Sequence, residues 1–274
     1  MSFDIHSVSI EKIIAIIQSV SETYLTSEDA QNITVKGDAN FVTKVDMNIE
    51  SAMKKHLGNL YPEIQFMGEE EDNSDVDFSK PFWILDPVDG TSNLIHDYRN
   101  SSMSLALAID QEVVLGFIYH FYTRDIFFAV KGSGAYSAFL EKEPLSKSIE
   151  MKKPLHVSSI TELSRSLATI GTSPYDKATL GEENMKTIKT IFFHCEDIRR
   201  TGSAAIDLAN IAAGRTDIFL ERNLKPWDFA AGIIIIEEAG GVISTYDGKK
   251  IDITKPSDIL AGNPIIHNQI KQLI

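Results

Sequence analysis

Trp83-Ile84-Leu85-Asp86-Pro87-Val88-Asp89-Gly90-Thr91-Ser92 is the stretch around which this chain is organised. The apolar run at 82–85 has the length and character of a buried strand. Asp86 begins a turn that Pro87 enforces, because proline fixes φ and has no N–H to offer a ladder. Gly90 is free of Cβ constraints, and Thr91 and Ser92 are suited to open a helix. Two carboxylates thus flank one tight turn beside the N–H groups of a helix start. Carboxylates hold hard cations and helix N-termini hold phosphate, so the pattern implies metal-assisted phosphate chemistry.

The rest of the composition is compatible with that chemistry. With 274 residues, 43% apolar and 24% charged, the chain reads as an ordinary globular protein with a substantial core. Its single cysteine, Cys195, excludes an internal disulfide and a cysteine-rich zinc site, and reads as a small buried hydrophobe. The net charge of −13 is unevenly placed: residues 1–150 carry 24 Asp/Glu against 11 Lys/Arg, whereas residues 151–274 carry 15 of each. Nucleic acid and anionic membrane are disfavoured as partners. The N-terminus lacks a signal-peptide layout and no apolar run reaches membrane-span length, so the expected location is cytoplasmic.

Hydrophobic spacing predicts an amphipathic helix over 8–25, a short extended segment at 41–43, a helix over 46–60 and a strand at 64–67. A polar acidic loop follows at 72–79. Consecutive strands are expected at 104–109, 113–120 and 126–130, with Gly132 and Gly134 ending the meander. The Lys-, Glu-, Ser- and Pro-rich stretch at 140–155 suggests an internal boundary, giving an α+β part (1–150) and an α/β part (151–274). In the second part, strands at 166–171, 197–201, 217–220 and near 259 alternate with helices at 181–193, 203–213, 227–239 and near 273. Such alternation indicates a layered α/β arrangement.

Four acids stand out: Glu69 after Gly68 at a strand end, Asp86 and Asp89 in the turn, and Asp228 in the first turn of a helix introduced by Pro226. That last helix is apolar all round from 229 to 236, so it is buried, and an acid at its start needs a metal, a base or N–H partners.

The segments Gly68-Glu69-Glu70, Trp83 to His96 with its Asp-Pro-Val-Asp-Gly-Thr core, Trp227-Asp228-Phe229-Ala230-Ala231-Gly232 and Glu238-Ala239-Gly240-Gly241 resemble, in this order, the motifs of the inositol monophosphatase family. This family belongs to the magnesium-dependent, lithium-sensitive phosphatases. The resemblance covers essentially the whole chain, and the Asp-Pro-Val-Asp-Gly-Thr match is highly specific. It implies a five-layer αβαβα sandwich of the sugar-phosphatase type and a homodimer. Glu69, Asp86, Asp89, Asp228 and the Val88 carbonyl become ligands for two or three Mg²⁺ ions, an all-oxygen set suited to that metal. Thr91 would relay the proton of an attacking water, oriented by Asp46, with Glu69 beside them in the catalytic group. Lys36 matches a lysine on a mobile active-site loop. The N–H groups of Gly90, Thr91 and Ser92 would cradle the phosphate.

Substrate contacts implied by the resemblance are Asp89, Gly202-Ser203-Ala204 and Glu221, the last matching a glutamate that bonds a polyol hydroxyl. The substrate is then a small phosphate monoester, with inositol monophosphate first. A bisphosphate nucleotidase, fructose-bisphosphatase or NADP(H) phosphatase is the alternative, although Ser92-Asn93-Leu94-Ile95-His96 sits closer to the inositol branch. A catalytically silent phosphometabolite-binding regulator is the alternative outside enzymes, and it would be expected to have lost a ligand or Thr91. Gly132-Ser133-Gly134 is read as a turn and not as a dinucleotide fingerprint, since no suitable helix begins there.

Overall fold

The computed structural model describes residues 5–37, 40–141 and 149–274. Helix α1 (Ile10–Tyr24) and the single turn α2 (Ser27–Ala30) lead into the exposed hairpin β1 (Ile33–Gly37) and β2 (Asn40–Thr43), followed by α3 (Lys44–Leu60). A seven-stranded sheet runs in the order β3 (Gln65–Gly68), β4 (Phe82–Asp89), β5 (Ser102–Ile109), β6 (Glu112–His120), β7 (Asp125–Val130), β8 (Ala135–Phe139) and β9 (Lys153–Pro154). Only the β3–β4 pair is parallel, and the five-residue helix α4 (Thr91–Ile95) follows β4. A second sheet is built from β10 (Leu167–Ile170), β11 (Asp197–Arg199), β12 (Ile218–Leu224), β13 (Val242–Thr245) and β14 (Ser257–Gly262), in the order β11-β10-β12-β14-β13. The helices of this half are α5 (Lys177–His194), α6 (Ala204–Ala212), α7 (Pro226–Glu238) and α8 (Pro264–Lys271).

Three apolar clusters bind these elements into layers. Every residue of β4 is buried, and its side chains alternate between two of the clusters. Trp83 and Leu85 pack with Ile13, Ile17, Ile49 and Met53 of α1 and α3. Phe82 and Ile84 pack on the opposite face with Leu208 of α6 and with Phe229 and Ile235 of α7. The second sheet closes the other side of α6 and α7, and its outer face carries Ile191 of α5 with Ile266 and Ile270 of α8. The order helix, sheet, helix, sheet, helix is the layered α/β class expected from the sequence.

Helix α7 lies in the middle layer, which explains its unbroken apolarity: Phe229, Ala230, Ala231, Ile235 and Ile236 are wholly buried. It approaches β6 closely at Gly116, where a Cβ would lie 2.6 Å from Ile234 Cγ2 and 2.7 Å from the Ala231 carbonyl oxygen. Its far end is pinned by Glu238, whose two carboxylate oxygens each accept an N–H at 2.7 Å, one from Gly132 and one from Gly134. The glycine turn therefore spends its N–H groups on this carboxylate.

The meander does not end at that turn. β8 and β9 extend the sheet, so the expectation that Gly132 and Gly134 close it is corrected; the Ser- and Ala-containing strand lacks the strong apolar alternation of its neighbours. Residues 142–148 of the proposed boundary stretch lie outside the described residues. Among the described residues, no helix is long and apolar enough to cross a membrane.

Candidate active site

The acidic turn is part of β4. Asp86 pairs with Ser104 and Asp89 with Ser102, so three steps along β4 match two along β5, and the extra residue makes a bulge. Proline is tolerated at a bulge, where a ladder hydrogen bond is already lost. The sequence reading of a strand ending at 85 is corrected accordingly. Asp86 Oδ1 accepts the Val88 N–H at 2.9 Å, which tightens the turn. Gly90 follows at φ 88°, in the left-handed region, with the Asn100 and Gly202 carbonyls 3.1 Å from where a Cβ would stand.

Asp228 arrives from the start of α7. Its side chain accepts the Lys225 N–H at 2.7 Å, an N-terminal cap that holds the carboxylate at the helix end. Asp86, Asp89 and Asp228 each present a ligand atom within 4.8 Å of the other two. Glu69, tethered by its N–H to the Leu85 carbonyl at 3.2 Å, adds its charge to the same cluster. Burial pushes the carboxyls of Glu69, Asp86 and Asp228 well above the usual range, and mutual repulsion pushes them further. A cluster of buried oxygens that repel one another is a good fit for a hard divalent cation.

Asp46 stands one layer away. It is the third residue of α3, where its Oδ2 accepts the Thr43 N–H at 2.9 Å and the Thr43 hydroxyl at 2.5 Å, forming a capping box. Thr91 Oγ1 lies 3.1 Å from Asp46 Oδ1 and 3.1 Å from the Val88 carbonyl oxygen. Burial raises the Asp46 carboxyl to about 6, against the hydrogen bonds from Thr43. Lys36 on β1 forms an ion pair with Glu70, next to Glu69. Glu50, one helical turn after Asp46, accepts the Glu70 N–H at 3.1 Å, and a Cβ on Gly68 would collide with its carboxylate. Glu50 thus fixes the loop that carries Glu69, a role no sequence motif flagged.

Of the Gly202-Ser203-Ala204 segment, Ser203 and Ala204 meet Asp89 directly, while Gly202 lines the adjoining cleft. The Ser203 hydroxyl donates to Asp89 Oδ2, as does the Ala205 N–H at 2.8 Å, while the Ala204 N–H reaches Oδ1 at 3.3 Å. Asp89 therefore sits on the N-terminus of α6 as well as in the acidic cluster. Burial raises its carboxyl to about 6, held back by those hydrogen bonds. Asn93 stitches the two halves of the site, donating to the Asn100 carbonyl at 2.7 Å and the Thr201 carbonyl at 2.9 Å.

A cleft opens beside the cluster, walled by Asp89 to Ser92 on one side and Gly202 to Ala204 on the other. Glu221 lines its floor, accepting the Ser173 N–H at 2.9 Å; burial raises its carboxyl to about 7. Gly171 packs so closely against Glu221 that a Cβ would overlap the carboxylate. The cleft also contains Tyr175, Arg200 and Asp207, which the sequence reading did not single out. His96 is exposed at the end of α4.

The whole chain compares closely with known proteins. Residues 3–274 match the model of the inositol monophosphatase family. An inositol monophosphatase of Dictyostelium discoideum is 34% identical, the match covering 89% of this chain and 86% of that protein. The extragenic suppressor protein suhB of Bartonella henselae superposes with a TM-score of 0.83 at 28% identity, covering 96% of each chain. A 2′AMP-bound structure of SaIMPase-II superposes with a TM-score of 0.76 at 30% identity, covering 94% of this chain and 90% of that one. The chain belongs to the inositol monophosphatase family, a family of metal-dependent phosphatases, and is a phosphoric monoester hydrolase.

Proposed function

We propose that the protein hydrolyses inositol monophosphate, or a closely related polyol phosphate, with Mg²⁺ as its metal. The observation that carries the reading is the convergence of Asp86, Asp89 and Asp228 within 4.8 Å beside a Thr91–Asp46 hydrogen bond. Asp86, Asp89, Asp228, Glu69 and the Val88 carbonyl would hold the ions. Mg²⁺ bound there would neutralise phosphate charge and acidify an attacking water. Thr91 Oγ1 takes that water's proton and passes it towards Asp46 Oδ1. The N–H groups of Gly90, Thr91 and Ser92, at the start of α4, are not consumed by helical bonding and are free to orient phosphate oxygens. Lys36, through Glu70, steadies the Glu69 loop. Glu221 accepts a hydroxyl of the leaving alcohol.

The test is phosphate release from inositol-1-phosphate with Mg²⁺ and with a chelator. Turnover that persists after chelation removes the metal reading. Loss of turnover on chelation, restored by Mg²⁺ over Ca²⁺, supports it.

A second substrate, a nucleoside monophosphate, is favoured by Tyr175, Pro174 and Leu224 in the cleft wall, which offer a surface for a base. The 2′AMP found in the SaIMPase-II structure accords with it. Parallel assays on 2′AMP and inositol-1-phosphate decide between them. We further take the protein to be a cytoplasmic homodimer: α5 leaves Met185, Phe192 and Phe193 exposed, and sedimentation tests the assembly.

A further inference from the structure

We propose that Asn223 is a positioning residue for the leaving alcohol. Through Asp176 it holds the turn that carries Tyr175 against β12, and so sets Tyr175 and Glu221 together in one wall of the cleft. This inference rests on the phosphatase reading above.

Glu221 and Leu224 both line the cleft, and the register of β12 shifts between them. Glu221 pairs with Ile259 and Leu224 with Ser257, so three steps along β12 match two along β14. Asn223 lies inside this irregularity and is left-handed, at φ 54°. Asparagine is one of the few residues with a Cβ that enter this region readily. Its N–H donates to Asp258 Oδ1 at 3.0 Å, and its side-chain amide donates to Asp176 Oδ2 at 2.8 Å. Glycine would meet the backbone requirement equally well. What asparagine adds is the bond to Asp176.

Asp176 ends the short turn Pro174–Asp176, which follows β10. Ser173, just before the turn, is also left-handed, at φ 43°, an uncommon conformation for serine. It is buried, its N–H donates to Glu221 Oε1 at 2.9 Å and its hydroxyl donates to the Arg222 carbonyl at 2.7 Å. Residues 221, 222 and 223 of β12 thus each hold the stretch 173–176 by one hydrogen bond. Two of the bonds stop at Ser173, and the one from Asn223 reaches past Tyr175 to its far side. Paired backbone outliers persist where the surroundings over-determine them, and they concentrate at ligand clamps.

Tyr175 is the side chain held between these anchors. It lines the cleft although it is 55% exposed, so its ring is not spent on the core. Burial, and behind it the charges of Glu69 and Asp228, raise its phenol above the usual range, which places that end near the acidic cluster. An aromatic face beside a carboxylate offers an alcohol both apolar contact and a hydroxyl acceptor. The Asn223–Asp176 bond fixes how far apart the two stand.

The bond is broken from either side, with Asn223→Gly and with Asp176→Ala, and from both sides together. Each variant is compared with the wild type on inositol-1-phosphate, 2′AMP and methyl phosphate at saturating Mg²⁺. Glycine keeps the left-handed backbone and the N–H to Asp258, so the fold is preserved. On whichever larger ester the wild type prefers, each single variant is expected to raise KM about five- to tenfold, the scale of one hydrogen bond. There kcat stays within about twofold, because Thr91, Asp46 and the acidic cluster are untouched. Methyl phosphate has an alcohol too small to reach this wall, and its kcat/KM stays within about twofold. The double variant is no worse than the worse single one, as two halves of one bond require. Losses of kcat shared by all three esters mark a merely structural role and overturn the proposal. KM shifts that are absent, that add in the double variant, or that extend equally to methyl phosphate overturn it too. So does a wild type that cleaves methyl phosphate as efficiently as both larger esters, which leaves the phosphatase reading intact. A wild type that cleaves none of the three removes both.

Discussion

Thr91 Oγ1 and Asp46 Oδ1 are 3.1 Å apart, although one side chain starts α4 and the other caps α3. The second oxygen of Asp46 is already committed to Thr43, so the carboxylate cannot rotate away. Asp46→Asn leaves the volume unchanged but removes the base that receives the proton. It is expected to lower kcat by about 10²- to 10³-fold, with KM little altered. The weakened cap costs about 1 kcal/mol of stability. Steady-state kinetics and urea denaturation check the two effects separately.

In the absence of metal, the carboxyls of Asp89 and Asp46 sit at about 6, raised above the open-chain value of 3.8. Between those limits the folded protein holds protons that the unfolded chain has released. Stability from these groups is therefore full at low pH and is lost as pH rises through 6. His267 works oppositely: burial lowers it to about 4, so the folded state loses ground as pH falls from about 6.5, the ordinary histidine value. Measuring thermal midpoints with and without Mg²⁺ at each pH cancels the histidine. The Mg²⁺-induced rise is expected to be large at pH 8 and to shrink towards pH 5. A rise independent of pH would contradict the cluster.

Asp89 has two attachments, the acidic cluster and the N-terminus of α6. Ser203→Ala removes the hydroxyl that donates to it but leaves the Ala204 and Ala205 N–H bonds. A modest loss follows, about tenfold in apparent Mg²⁺ affinity, the scale of a lost partner behind a ligand. Asp89→Asn removes charge from both attachments and is expected to abolish measurable turnover. Metal titrations of activity distinguish the two variants.

Two glycines separate packing from recognition. Gly116→Ala places a methyl against Ile234 and the α7 backbone, so it is expected to cost about 2–3 kcal/mol in denaturant unfolding. Gly171→Ala presses on the Glu221 carboxylate instead. There the expected outcome is a KM for inositol-1-phosphate raised about tenfold, the loss of one hydrogen bond to a charged group.

Much of this was legible in the chain because the signals are local. The run at 82–85 and the all-apolar α7 are buried on every side, and burial of that kind is written as unbroken hydrophobicity. The acids Glu69, Asp86, Asp89 and Asp228 lie at or just beyond the ends of such runs, Asp86 and Asp89 being themselves buried. β8 was missed because Tyr136 and Ser137 blur its alternation. Asp207 was missed for a different reason: in an alanine-rich helix, sequence does not tell which flank meets a cleft formed by loops from other layers. Arg200 and Tyr175 sit on such loops, brought together only by the packing of the second sheet.

In a regular strand, two positions separated by an odd number of steps point in opposite directions. Asp86 and Asp89 are separated by three, yet both pair with serines, Ser104 and Ser102, that share one side of β5. The bulge repairs the parity. Deleting Pro87 would leave two steps along β4 against two along β5, so the ladder would run regularly with both acids still on one side. What such a deletion erases is the extra residue itself, and with it the turn that Asp86 closes on the Val88 N–H.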